Sequence, residues 1–273
     1  MKPAISQVCS LSSPFEQDIE DYAAGACRAI ELWLGKLEGY LERHSLDDVR
    51  GLLDKHEMAA PVASFQGGLL TSQGDARREH WGHFERRLKQ LHALGVGTLV
   101  VAGDAAGPLA QQDLDRIRAS LGQAAASAGE QGVRLALEFQ ASASFGNNLQ
   151  TAAALVDETA SPHLGLCLDV FHYYLGPSKP NDLGCLSRDN LFHVQLCDLS
   201  GIPRELATDG DRILPGDGDI PLGPLVDALR AIDYTGYVSL ELMNPQIWRV
   251  PARQLGEVGM TALRSVLGQA RMQ

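Results

Sequence analysis

The chain has 273 residues, is 45% hydrophobic, and carries 23 basic against 34 acidic side chains for a formal charge of −11. That apolar content argues against disorder, and the acidic balance, with no long basic run, argues against a nucleic-acid partner. No unbroken apolar run reaches the roughly eighteen residues of a membrane span, which argues against a membrane partner. The start of the chain has no apolar leader, and Cys9, Cys27, Cys167, Cys185 and Cys197 lack paired metal spacing. Together these features predict reduced thiols in a cytoplasmic protein.

Strand and helix patterns alternate along the chain. An opening strand is expected near Ile5–Leu11, a helix from Pro14, and a strand over Ala29–Leu34. Ser45, followed by Asp47 and Asp48, caps a helix running to about His56. Ala60–Phe65 is the third strand, and Gly67-Gly68 after it suggests a close backbone approach. Asp75 to Leu94 reads as a long amphipathic helix stopped by Gly95, and Thr98–Ala102 as a buried strand. A helix from Asp113 to about Gly129 leads to the strand Arg134–Phe139. A helix over Asn148–Thr159 leads to the strand Leu164–Asp169. After a loop with Pro177, Pro180 and Gly184 come the strand Leu191–Leu196 and a long polar loop, Asp198–Pro221. Helix Leu222–Ile232, strand Tyr237–Leu242 and a last helix from about Pro251 to Leu267 complete the series. Eight strands in βα order at this length predict the α/β class, as a single (β/α)8 TIM barrel domain over residues 1–273. The oxygen-bearing candidates are spread over several strand ends, which fits closure better than an open sheet with one switch point.

Four strands of the second half carry Glu138, Asp169, Gln195 and Glu241 at or near their C-terminal ends. Side chains alternate faces along a strand. Glu138 therefore shares a face with Ala136, Asp169 with Gly165 and Cys167, Gln195 with Leu191 and His193, and Glu241 with Tyr237 and Ser239. The opposite faces are apolar, as expected of strands whose outer side packs on helices. Inward carboxylates are costly to bury without a compensating cation or proton, and one divalent metal is the economical explanation. Taken singly, Gln195 also reads as a hydrogen-bonded barrel residue, His193 as a rival ligand, and Arg212 as a surface ion pair among Asp209, Asp211, Asp217 and Asp219. Asp198 reads equally as a partner that supports the ligand residues and as a strand-end turn aspartate. Glu31, Lys36 and Trp248 are lesser candidates for the pocket wall.

The segments LALEF ending at Phe139, GLCLDVFH ending at His172, HVQLCD ending at Asp198, DRILPGDG ending at Gly218 and GYVSLEL ending at Leu242 resemble the xylose-isomerase-like TIM barrels, the sugar phosphate isomerases and epimerases. The resemblance implies metal ligation by Glu138, Asp169, Gln195 and Glu241. It also implies catalytic roles for Glu138 and Glu241, and substrate contacts by His172 and Arg212. Ketose 3-epimerase relatives have histidine where this chain has Gln195, whereas hydroxypyruvate isomerase resembles it in using glutamine. An all-oxygen set suits Mn²⁺ or Mg²⁺, with Co²⁺ or Zn²⁺ as alternatives. The implied activity is isomerisation or epimerisation of a small sugar or keto-acid by proton abstraction next to a carbonyl, through an enediolate. A keto-sugar or cyclitol dehydratase or lyase on the same site is the first alternative, and a non-catalytic sugar-binding barrel the second. The acidic field favours neutral polyols over phosphorylated sugars, and the sequence allows self-association into a homo-oligomer.

Overall fold

The computed structural model describes residues 1–269. Its strands are β1 (Lys2–Ser6), β2 (Ala29–Trp33), β3 (Ala59–Gln66), β4 (Thr98–Gly103), β5 (Arg134–Phe139), β6 (Leu164–Asp169), β7 (Leu191–Leu196) and β8 (Tyr237–Leu240). The helices are α1 (Phe15–Ala24), α2 (Leu34–Leu41), α3 (Leu46–Lys55), α4 (Gly74–Leu94), α5 (Gln111–Glu130), α6 (Leu149–Thr159), α7 (Val170–Leu175), α8 (Leu222–Ala231) and α9 (Ala252–Val266). The strands follow one another in sequence order in a closed barrel, the (β/α)8 TIM barrel class, and every registered pair is parallel. Strands covered on both faces need near-continuous apolar sequence; β4 and β6 are buried at every position.

Local chemistry sets the helix ends. The Ser45 side chain accepts from the Asp48 amide, and Asp48 returns a bond to the Ser45 amide, a closed capping box. Asn148 Oδ1 accepts from the Thr151 amide at 2.9 Å to start α6. α4 stops at Gly95, which takes left-handed backbone (φ 71°). Two helices escape the sequence reading. α2 starts at Leu34 with no loop after β2, and its Gly35 and Gly39 lower helix propensity; burial of Leu34 and Leu37 outweighs that cost. α7 follows β6 directly because Asp169 Oδ1 accepts from the Phe171 amide at 2.9 Å, making a strand-end carboxylate the helix cap. The opening strand is also earlier than expected. It ends at Ser6, and Gln7–Ser10 form a 3-10 turn in which Gln7 Oε1 accepts from the Trp33 amide at 3.0 Å.

The chain divides into two compact units, 62–193 and 1–61 with 194 onward. In 62–193, Val62, Val100, Ala136 and Cys167 form a buried apolar layer. Burying a valine side chain such as that of Val62 or Val100 contributes about 1.5–3 kcal/mol. Phe192 also packs on this layer, although alternation from Gln195 assigns it to the opposite face. Gly165 makes the room: a Cβ there would lie 2.7 Å from the Phe192 ring, over which the Arg134 guanidinium sits at 4.4 Å. In the other unit, β8 pairs with β1 and β7, with Ala4 and Gln195 both in register with Ser239. Glu241 lies one residue beyond β8, and its amide still donates to Leu196 O at 3.0 Å.

Candidate functional site

Residues two positions beyond the apolar layer of 62–193 are Ser64, Ala102, Glu138 and Asp169. Period two places them on the same strand faces as the layer beneath. Glu138 and Asp169 are buried, at 5% and 0% exposure, with His172 at 6%. Their ligand atoms lie within 4.8 Å of one another. Glu138 Oε2 accepts from Gln140 Nε2 at 2.5 Å. Asp169 uses Oδ1 for the α7 cap and has Oδ2 3.6 Å from His172 Nε2. The Ala141 amide donates to His172 Nδ1 at 3.4 Å. An Nδ1 that accepts leaves a neutral ring's proton on Nε2, so His172 presents a donor on the side of Asp169.

In the second unit Gln195, Glu31, Glu241 and Arg212 form one buried polar network. Gln195 Nε2 donates to Glu241 Oε1 at 2.8 Å and to Glu31 Oε1 at 3.0 Å. Arg212 Nη1 donates to Glu241 Oε2 at 2.9 Å, and its Nη2 and Nε reach Asp209 Oδ1 at 2.7 and 3.1 Å. Arg212 is 1% exposed, so the surface ion-pair reading fails: it is a buried fork that fixes the Glu241 rotamer. Asp198 turns out to be a turn organiser. Its carboxylate accepts from the Leu199, Gly216 and Ile220 amides, each at 2.9 Å. Gly218 must lack a side chain, because a Cβ would sit 2.3 Å from Leu199 O. Asp198 and Ile213 exchange two backbone bonds of 2.9 Å, which anchors the loop beside Arg212.

Of the lesser candidates, Glu31 joins this network. Lys36 instead ion-pairs with buried Asp18 and donates to Ser10 O at 2.8 Å, and Trp248 Nε1 donates to Val8 O at 2.7 Å. His193 is fully buried and lies outside the Glu138–Asp169–His172 group. Two hydroxyls were not singled out by sequence: Ser64 Oγ and Ser239 Oγ are buried without a hydrogen-bond partner. A serine alternating with Val62, and one two residues before Glu241, were legible only as strand residues.

The donors present fit a divalent cation. Two buried carboxylates and an imidazole within 4.8 Å form a concentrated anionic site when the ring is neutral. Hard oxygen donors suit Mg²⁺ or Mn²⁺. Orphaned buried hydroxyls such as Ser64 and Ser239 are groups that a bound polar molecule would satisfy.

A family model described as xylose isomerase-like TIM barrel matches residues 20–266. The inosose isomerase of Halalkalibacterium halodurans is 26% identical over 93% of this chain and 92% of its own length. The 3-dehydroshikimate dehydratase of Pseudomonas putida is 26% identical over the whole of this chain but only 42% of its own length. Among solved structures, the IOLI protein with a bound zinc atom superposes with a TM-score of 0.92 at 23% identity over 100% of both chains. The inosose isomerase and the dehydratase are enzymes, and no helix of the described residues is long and apolar enough to cross a membrane.

Proposed function

Because the chain belongs to the xylose isomerase-like TIM barrel family, we propose that it is a divalent-metal-dependent isomerase or epimerase. On this reading the whole chain acts as one catalytic domain on a small polyhydroxylated ketone or keto-acid. The observation that carries the reading is the buried Glu138–Asp169–His172 group. Glu138, Asp169, Gln195 and Glu241 hold the cation, Mn²⁺ or Mg²⁺ in the first instance. When bound, the cation supplies Lewis-acid stabilisation of negative charge on substrate oxygen.

Proton movement belongs to the side chains. Glu138 and Glu241 form the acid–base pair. One removes the proton beside the carbonyl; its partner, or the same group, returns it. Return to the same carbon from the opposite face is epimerisation, and return to the adjacent carbon is isomerisation. His172 donates from Nε2 to the reacting oxygen, and its Nδ1 contact with the Ala141 amide fixes that tautomer. Arg212 holds Glu241 in position and offers the edge of its fork to a substrate oxygen pair. Neutral polyols remain the preferred class on charge grounds.

The test is solvent exchange. An inosose, a ketohexose and hydroxypyruvate are each incubated with enzyme and Mn²⁺ in D₂O and followed by proton NMR. Deuterium entering a carbon next to the carbonyl, with no loss of water, supports the reading; no exchange on any substrate at saturating Mn²⁺ contradicts it. The second reading, a dehydratase, is favoured by the full-chain match to the Pseudomonas putida enzyme. Loss of water from the product identifies it.

A further inference from the structure

A glutamine side chain has one accepting end and one donating end, and only the oxygen suits a metal. Gln195 directs its Nε2 at two carboxylate oxygens, Glu241 Oε1 at 2.8 Å and Glu31 Oε1 at 3.0 Å. Gln195 and Glu31 are at 0% exposure and Glu241 at 4%. An ionised carboxylate only accepts, so the two amide hydrogens are matched to the two acceptors. Turning the amide over would set Oε1 against both. It would replace two hydrogen bonds to carboxylates with repulsive oxygen–oxygen contacts.

Glu241 alone would bias the amide; Glu31 adds a second acceptor from a different strand. β2 is held in register with β1 by the pairs Ile5–Ile30 and Ser6–Glu31, so Glu31 reaches the amide from a strand other than those that carry Gln195 and Glu241. We propose that Glu31 is a positioning residue: it locks the Gln195 amide with Nε2 on the carboxylates and leaves Oε1 as the end offered to the cation. This rests on the proposed ligand set that includes Gln195. It also supplies a physical reason for glutamine to serve at this position, since the second carboxylate removes the ambiguity between the ends of the amide.

Calorimetric Mn²⁺ titration of metal-free wild type, Glu31→Gln, Gln195→Ala and the double variant tests the proposal, with thermal melts of each metal-free protein. Glu31→Gln keeps size and shape but can accept as well as donate, so it no longer dictates the amide. Partners that orient ligands typically cost 10–100-fold in metal affinity when changed, and we expect about that loss in Glu31→Gln. The melting temperature should stay near that of wild type. The loss should not exceed that of Gln195→Ala, and adding Glu31→Gln to Gln195→Ala should cost nothing further. Unchanged affinity in Glu31→Gln, a loss greater than that of Gln195→Ala, or full persistence of the loss in the double variant would each overturn the proposal. Should Glu31→Gln fail to fold, Glu31→Asp, which withdraws the carboxylate by one methylene, is judged by the same criteria. Wild type that binds no Mn²⁺ would sink the metal reading itself, a separate failure.

Discussion

Two sets of buried charge in this protein are built on opposite plans. Asp18 is fully buried, and the chain supplies its compensation: the Lys36 ammonium, the Ser10 hydroxyl at 2.7 Å and the Gln7 amide at 3.2 Å. Glu138 and Asp169 are just as inaccessible, but they come together with His172, the ligand atoms of all three lying within 4.8 Å of one another. The first plan is a closed ion pair that ties α1 and α2 to the turn after β1. The second gathers negative charge, which suits an incoming cation. Burial of a carboxylate therefore does not by itself mark a candidate site; here a gathering of several metal-ligating groups does.

Asp169→Ala should have the largest effect. Mn²⁺ affinity should fall on the order of 100-fold or more, beyond what changes in orienting partners cost, with the fold retained by circular dichroism. Binding indistinguishable from wild type would exclude Asp169 as a required ligand. Glu241→Gln comes next: much of the metal affinity should survive while solvent exchange falls by about 10²–10⁴-fold, the usual contribution of a positioned acid or base. A variant that exchanges at the wild-type rate would remove Glu241 from the proton path.

Lys36→Met sharpens the contrast from the other side. It strands Asp18 without its cation and should cost about 3–5 kcal/mol in urea unfolding while leaving Mn²⁺ affinity unchanged. Altered metal affinity there would show that the two plans are not separate.

A smaller effect follows from pH. Desolvation by burial raises the Asp18 carboxyl from its ordinary 3.8 to about 6, against the opposing pull of Lys36; burial likewise lowers the Lys36 ammonium, and the Tyr22 hydroxyl reaches the same Ser10. The folded-state value exceeds the unfolded one. Asp18 therefore contributes stability that is complete below the unfolded value and lost as pH rises through about 6. Between pH 4.5 and 7, wild type should lose more stability than Asp18→Asn; parallel losses would contradict the assignment.

The barrel was legible because strands buried on both faces must be apolar throughout, and the four oxygen-bearing residues stood out against that background. Period two was enough to put Glu138 and Asp169 on the faces shared with Ala136 and Cys167. Glu31 was harder to see: it sits in an unremarkable AIELW strand, and only the Gln195 amide gives it meaning. Ser64 and Ser239 were invisible because a hydroxyl's importance lies in lacking a partner, which no sequence records. α2 was hidden by its glycines, and the face of Phe192 by the space that Gly165 leaves.

Crystals grown with saturating Mn²⁺ and measured at the manganese absorption edge test the central claim most directly. The account predicts one strong anomalous peak per chain, bonded to oxygens of Glu138 and Asp169 at roughly 2.0–2.3 Å, the range for small hard divalent ions. A map with no peak beside those two carboxylates would contradict it.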